Sequence, residues 1–576
     1  MTRFIRLVRL IGPFRWQMAL AVALGAATVG GGVGLMGAAA YLIATAALHP
    51  SIAELQVAIV GVRFFGLSRG VFRYLERLIS HDLTLRLLGR FRLWFFRALE
   101  PLAPAKTLEL KSADLLTRAV SDVESLQELY LRALAPPLVA VVVGVSAAAV
   151  IGLQATEPAL VFAAAYTAAA VLVPAGVMRL GRRTGTTLAS TNAALAEAVT
   201  DGVQGMADLL ALGGGGVMRE RVEELSLRAE MTRERAALRE ALGGAGVTFG
   251  THATVWLVLV AAIPLVGEGG FTGIDLAVVC LVAMAAFEAV QPLPAAARGL
   301  ADQLVAAGRL FDVIDEAPVV VDPEEAEAPG EDVDLEIDGV SFSYPAGGVD
   351  DALSNLTLAV PRGAKLAVVG PSGAGKSSLV HLLLRFWDPT RGEIRLGSRP
   401  LPDLALEDLR SIIGVLPQRT DLFTGTIRDN LALAAPDADD DALDAAADRA
   451  GLSATIRDLP EGWQTWIGEH GRQLSGGQRT RLALARLVLR DPEVIVLDEP
   501  TTGLDPVTER RVMEALFELF EGRTMVVITH RLVAMERFDE IVVLDRGRIC
   551  EQGTHSDLVN AGGLYAALIE AQESVL

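Results

Sequence analysis

Residues 370–377 read Gly370-Pro371-Ser372-Gly373-Ala374-Gly375-Lys376-Ser377, the spacing G-x-x-x-x-G-K-S. An apolar run, residues 364–369, precedes them, and a helical pattern beginning Ser378-Leu379-Val380 follows. In that setting the glycines let backbone amides close around phosphate oxygens, and the helix N-terminus adds partial positive charge. Lys376 then meets the outer phosphates and the Ser377 hydroxyl ligates Mg²⁺, with Ser378 beside them in the first turn. A chance glycine turn would lack the flanking strand and helix. Such a loop holds a nucleoside triphosphate such as ATP with its magnesium ion.

Two carboxylates end another apolar run, Val494-Ile495-Val496-Leu497-Asp498-Glu499. A buried strand there delivers Asp498 to the magnesium shell and turns Glu499 toward an attacking water, as candidate general base. Positioning and charge stabilisation still count for more in phosphoryl transfer than proton abstraction. His530 closes the run 524–530, TMVVITH, within reach of a γ-phosphate. A lone histidine at a strand end is ordinarily structural, but the company of Lys376, Asp498 and Glu499 favours a functional one.

These groups need an α/β scaffold. The runs LEIDGVSFSY, AKLAVVG, EIRLG, EVIVLDE and TMVVITH alternate with helical stretches at 377–387, 441–450 and 478–490, which predicts a largely parallel sheet. Residues 316–332 carry Pro318, Pro323 and Pro329 among acidic residues and read as a solvated connector. The expected division is a membrane domain with helical extensions at 1–315, an acidic linker at 316–332 and a nucleotide-binding domain at 333–576.

Composition supports two dissimilar halves. A chain of 576 residues exceeds the ~250–300 at which a single core stops growing. It is 51% hydrophobic and only 21% charged, with a mean hydropathy of +0.40, which calls for membrane-embedded helices. Residues 1–314 hold 27 Lys and Arg against 24 Asp and Glu, whereas residues 315–576 hold 24 against 46. The soluble half at −22 argues against a nucleic-acid partner, because phosphate neutralisation needs clustered cations. Cys280 and Cys550 match no metal or disulfide pattern.

Arg3, Arg6, Arg9 and Arg15 precede an uncharged run from Trp16 to Ala53, too long for an export signal and long enough to cross a bilayer. The expectation is an interfacial amphipathic segment to about Pro13, then a membrane helix with its N-terminus in the cytoplasm. Further apolar stretches near 55–72, 134–154, 158–178, 247–267 and 274–294 bring the expected spans to six. Long polar helical segments, 73–133 and 179–245, extend from the membrane on one side.

Arg69, Arg73, Arg77 and His81 recur every four residues, with Tyr74 flanking them. That spacing suggests one helix face. One reading is a headgroup-facing basic stripe. The other is a cationic pocket on a translocation path, with His81 as a metal or haem-iron ligand and the arginines facing substrate carboxylates.

Leu474-Ser475-Gly476-Gly477-Gln478 lies between the phosphate loop and the Asp498-Glu499 run and resembles the signature loop of ATP-binding cassette (ABC) proteins. The resemblance places Tyr344 as the adenine-stacking aromatic, Gln418 in the Q-loop as a magnesium ligand and catalytic group, Asp505 in the D-loop and His530 in the switch. It implies two cassettes facing head to tail, with Ser475, Gly476, Gly477 and Gln478 of one closing on the ATP of the other. With one cassette, the chain would be a half-transporter. The fold implied is an α-helical membrane domain with six transmembrane helices, exporter type, fused to an α/β P-loop ABC nucleotide-binding domain. Residues 114–123, DLLTRAVSDV, resemble that family's first coupling segment.

The runs 73–82, 417–431 and 468–475 resemble the CydC family of half-transporters more closely. Members pair with a CydD half, support cytochrome bd assembly in the bacterial cytoplasmic (inner) membrane, and are described as exporters of cysteine and glutathione and as haem transporters. Haem b, as substrate or regulator, would then meet His81, Arg73, Tyr74 and Arg77. A homodimeric lipid or drug exporter is the alternative. A soluble ATPase performing mechanical work would have no use for six spans.

Overall fold

A segment that crosses hydrocarbon must satisfy its backbone groups internally, so apolar runs of this length fold as helices. The computed structural model describes residues 2–109, 112–181, 184–266, 271–330, 332–345, 351–468, 471, 473–502 and 506–573. Its chain forms two units, Met1–Glu100 with Leu110–Glu316, and Pro101–Glu109 with Ala317–Leu576.

Among the described residues, six helical segments are long and apolar enough to span a membrane: Ile5–Ala46, Ile52–Leu102, Leu115–Gly152, Thr156–Arg179, Gly215–Leu265 and Gly273–Ile314. The amphipathic start is the helix Thr2–Ile11. Its Leu7 and Ile11 bury against Leu83, Leu87, Phe91 and Phe95, an i, i+4 stripe of the second spanning helix. Arg6 pairs with both carboxylate oxygens of Asp315, at 2.6 and 2.7 Å.

The extension expected over 73–133 is helical but interrupted. The helix Ile52–Leu99 runs 48 residues, gives way to a 3₁₀ turn at Glu100–Leu102, and resumes in short pieces with π-helical turns at Arg118–Asp122 and Leu129–Leu134. Asp122, on the segment that resembles a coupling segment, is buried within the first unit, paired with Arg309. Pro101–Glu109 groups with the cassette, and its Ala105 enters an apolar core there.

The second unit carries a six-stranded sheet and a four-stranded one. β1 (Leu335–Phe342), β2 (Leu353–Val360), β4 (Arg391–Leu396) and β5 (Arg399–Pro400) form the antiparallel sheet, in the order β2-β1-β4-β5. The alternating burial of β1 and β2 is the pattern of a sheet solvated on one side. β3 (Lys365–Val369), β6 (Ile413–Leu416), β7 (Val494–Asp498), β8 (Thr524–Thr529) and β9 (Glu540–Asp545) pair in parallel, in the order β9-β3-β8-β7-β6, with β10 (Arg548–Gly553) antiparallel at the edge. The largely parallel expectation thus holds for this larger sheet, while LEIDGVSF and EIRL belong to the other.

The acidic connector is not free in solvent. The Val321 carbonyl accepts from Arg385 at 3.2 Å, Asp322 accepts from the Leu406 amide at 2.7 Å, and Glu327 pairs with Arg399 at 3.2 Å. Its carboxylates and carbonyls find distant partners on the cassette.

Candidate functional site

The phosphate loop takes its shape from glycines. Gly370 has φ +152° and Gly375 φ +98°, and a Cβ would stand 2.1 Å from the Leu544 carbonyl oxygen at the first and 2.4 Å from that of Ala352 at the second. The helix Lys376–Leu383 starts at once, so its N-terminus faces the loop. Lys376 is buried and its Nζ donates to the carbonyls of Gly370 and Pro371 at 2.7 and 2.9 Å. Burial lowers its pKa against the opposing pull of Glu499 and Asp498.

A cavity of about 1030 Å³ opens over this loop, lined by Ser372, Gly373, Gly375, Lys376, Ser377 and Ser378 together with Gln418 and Glu499. Pro371 and Ala374 shape the turn without appearing in that lining. Arg546 and Arg548, beside the β9–β10 turn, also line it. Sequence reading passed over both, although Asp545-Arg546-Gly547-Arg548 is a charged turn between two β runs.

β7 is buried throughout and ends at Asp498. Burial and the neighbouring Glu499 charge raise the Asp498 pKa to about 6, against the attraction of Lys376. Glu499 sits at φ +49°, a left-handed backbone that costs a non-glycine residue free energy and is found at functional sites. Its carboxylate accepts from Gln418 Nε2 at 2.6 Å and Thr502 Oγ1 at 3.0 Å, and pairs with His530 Nδ1 at 2.9 Å. Burial pushes its pKa up, but the bonds and charge from His530, with Thr502 and Gln418, outweigh this and hold it below the usual carboxylate value. Thr502 was missed in the sequence, where a hydroxyl three residues past a carboxylate carries no special signal.

Mg²⁺ takes a few hard oxygen donors, one or two of them carboxylates, with phosphate and water completing its shell. Ser377, Asp498 and Gln418, whose amide nitrogen already serves Glu499, are a donor set of that kind.

Tyr344 does not appear in the described cavity lining. Its ring packs edge-on to Phe342 and Trp387, with centroids 4.7 and 5.2 Å apart, and its hydroxyl lies 2.9 Å from His381 Nδ1 and 3.1 Å from Ser378 Oγ. The apolar cluster at the end of β1 holds the ring. Ser475 is the N-cap of the helix Gly476–Arg490, in a reciprocal capping box with Gln478. Ser475, Gly476 and Gly477 are exposed at that helix end. Asp505 lies outside the described residues.

In the first unit a smaller cavity, about 290 Å³, is lined by Arg73, Arg77, Glu76, Tyr130 and Glu288. Arg69 and Arg73 reach Glu288 at 2.6 and 3.5 Å. His81 and Tyr74 are exposed and are not in that lining. A four-residue step overshoots a helical turn by about 40°, so the stripe drifts roughly 80° between Arg73 and His81. The four residues expected to act together are therefore divided between a cavity and a surface.

The ABC transporter family matches residues 353–502. The glutathione/L-cysteine transport system ATP-binding/permease protein CydC of Escherichia coli is 35% identical, over 96% of each chain. An ATP-dependent lipid A-core flippase of Chromobacterium violaceum is 33% identical over 90% of this chain and 88% of its own. The structure of a bacterial Atm1-family ABC exporter with ATP bound superposes with a TM-score of 0.86 over 97% of this chain and 98% of that one, at 24% identity, and so shares the fold. A phosphate loop, a signature helix and six spanning helices in one chain, matched along nearly their whole length, make this an ATP-hydrolysing translocase. The chain belongs to the ABC transporter family, as an exporter-type half-transporter resembling CydC.

Proposed function

We propose that this chain is the CydC-like half of a heterodimer with a CydD-like partner, exporting thiols of the cysteine and glutathione class, or haem, across a bacterial inner membrane in support of cytochrome bd assembly. The observation that carries the reading is the 35% identity to a CydC over 96% of both chains, which takes in the membrane half as well as the cassette. The cavity bearing Arg73 and Arg77 adds a cationic surface suited to a carboxylate-bearing substrate.

Within the cassette, Lys376 and the loop amides hold the phosphates, while Ser377, Gln418 and Asp498 hold Mg²⁺. Glu499 orients the attacking water, and His530 meets the γ-phosphate. Asp505 and Ser475 with its glycines serve the partner's nucleotide. Tyr344 serves as the adenine-stacking aromatic.

Copurification of the chain with a CydD-like half, followed by ATPase assay with glutathione, cysteine or haem, tests the reading. The expected result is a heterodimer whose ATPase one of these ligands stimulates. A fully active homodimer stimulated by lipid, the reading the flippase relative favours, would replace it. A Soret band lost in His81→Ala would assign haem and its iron ligand, and unchanged spectra in folded protein would remove His81 from that role.

A further inference from the structure

Glu509, on the helix Pro506–Leu519, is a second carboxylate close behind the reaction centre. It is 1% exposed, and a carboxylate so buried is costly unless both oxygens are satisfied. Both are. Oε1 accepts from the hydroxyl of Thr501, itself buried, at 2.6 Å, and Oε2 from the Arg531 guanidinium at 3.0 Å.

The chain neighbours of these partners give the arrangement its meaning. Thr502 follows Thr501 and donates to Glu499; His530 precedes Arg531 and pairs with Glu499. Each flank of Glu499 is thus held by a residue whose neighbour is held by Glu509. β7 and β8 pair in register as far as Asp498 and Ile528, and the Glu499 amide donates to the Ile528 carbonyl at 2.8 Å. Arg531 is locked locally as well, since its amide donates to Thr529 Oγ1 at 2.9 Å. Beyond the paired register, side chains must keep the two strand ends together, and Glu509 bridges them.

We propose that Glu509 is a positioning residue for ATP hydrolysis: it clamps the ends of β7 and β8, and so fixes Thr502 and His530 on either side of Glu499. The proposal rests on Glu499 as the water-orienting carboxylate. It places Glu509 outside nucleotide binding, so its loss falls on turnover.

The test uses the full-length transporter purified with its partner chain, measuring kcat and KM for ATP in saturating Mg²⁺. Glu509→Gln keeps the volume and removes the charge; the expected result is a kcat lower by about tenfold or more with KM within about twofold. Arg531→Lys, which keeps a charge but loses the fork geometry, should behave alike, and the double variant should lose no more than the worse single one. A purely structural carboxylate would instead lower the Tm and leave kcat per folded site unchanged. Wild-type kcat in folded Glu509→Gln, a loss carried by KM, or additive losses in the double variant would overturn the proposal. If Glu509→Gln fails to fold, Thr501→Val, which spares the ion pair, decides: lower kcat at unchanged KM upholds the clamp, and wild-type kcat removes it. Glu499→Gln is run in parallel. If it retains hydrolysis, the water-orienting reading fails and the clamp with it; if it is inactive while Glu509→Gln is normal, only the clamp fails.

Discussion

Glu499 holds its charge because three donors converge on it. Replacing it with Gln leaves Lys376, Ser377 and Asp498 in place, so Glu499→Gln should bind Mg-ATP normally and lose turnover by about 10²- to 10⁴-fold, the range for a general base. Single-turnover hydrolysis beside equilibrium nucleotide binding checks the split. Asp498 behaves differently, its pKa raised to about 6 by burial and by Glu499. A metal ligand must be deprotonated, so at limiting Mg²⁺ turnover should fall as pH drops through about 6 and recover when excess Mg²⁺ is added. A loss that added Mg²⁺ leaves untouched would assign the acidic limb to another group. Lys376, Ser377, Asp498, Glu499 and His530 were readable because each sits at a fixed offset in an apolar strand or glycine loop, whereas Gln418 came only through the family resemblance. Thr502 and Glu509 were not, since their partners are fixed only once β7 and β8 lie side by side.

At the scale of elements, Ser475 has a local duty that the signature pattern alone conceals: it caps the helix Gly476–Arg490. Asp caps a helix about as well as Ser. Ser475→Asp should therefore leave the Tm nearly unchanged, while setting a negative charge where the proposed head-to-tail dimer would bring the partner's γ-phosphate. ATP-driven closure of the dimer, followed by crosslinking, should then be lost with ATP binding to the Lys376 loop intact; normal closure would remove Ser475 from the interface. The six spans and the strand-loop-helix were legible because length and periodicity are local properties. The connector was not: its acidic, proline-rich composition suggested solvent, but Asp322 and Glu327 bond to Leu406 and Arg399, which lie far along the sequence. The drift of the Arg73–His81 stripe was likewise hidden, because a four-residue spacing looks like one face until it is followed for two turns.

The whole molecule joins a near-neutral membrane half to an acidic cassette, and coupling between them can be read out without touching Asp498 or Glu499. Arg73→Gln combined with Arg77→Gln removes two cations from the smaller cavity. Substrate-stimulated ATPase should fall severalfold while basal hydrolysis stays near wild type, by less at high salt, where screening already weakens such contacts. Stimulation unchanged in a folded, membrane-inserted variant would place the substrate elsewhere. The grouping of Pro101–Glu109 with Ala317–Leu576 bears on how the protein can be cut. Excision at the acidic connector does not release a complete cassette. It strips away the segment carrying Ala105, whose methyl group lies in the same apolar cluster as Val333, Leu401 and Leu404. The cassette is discontinuous in the gene's order, and a soluble fragment starting after residue 316 begins life with part of its own interior missing.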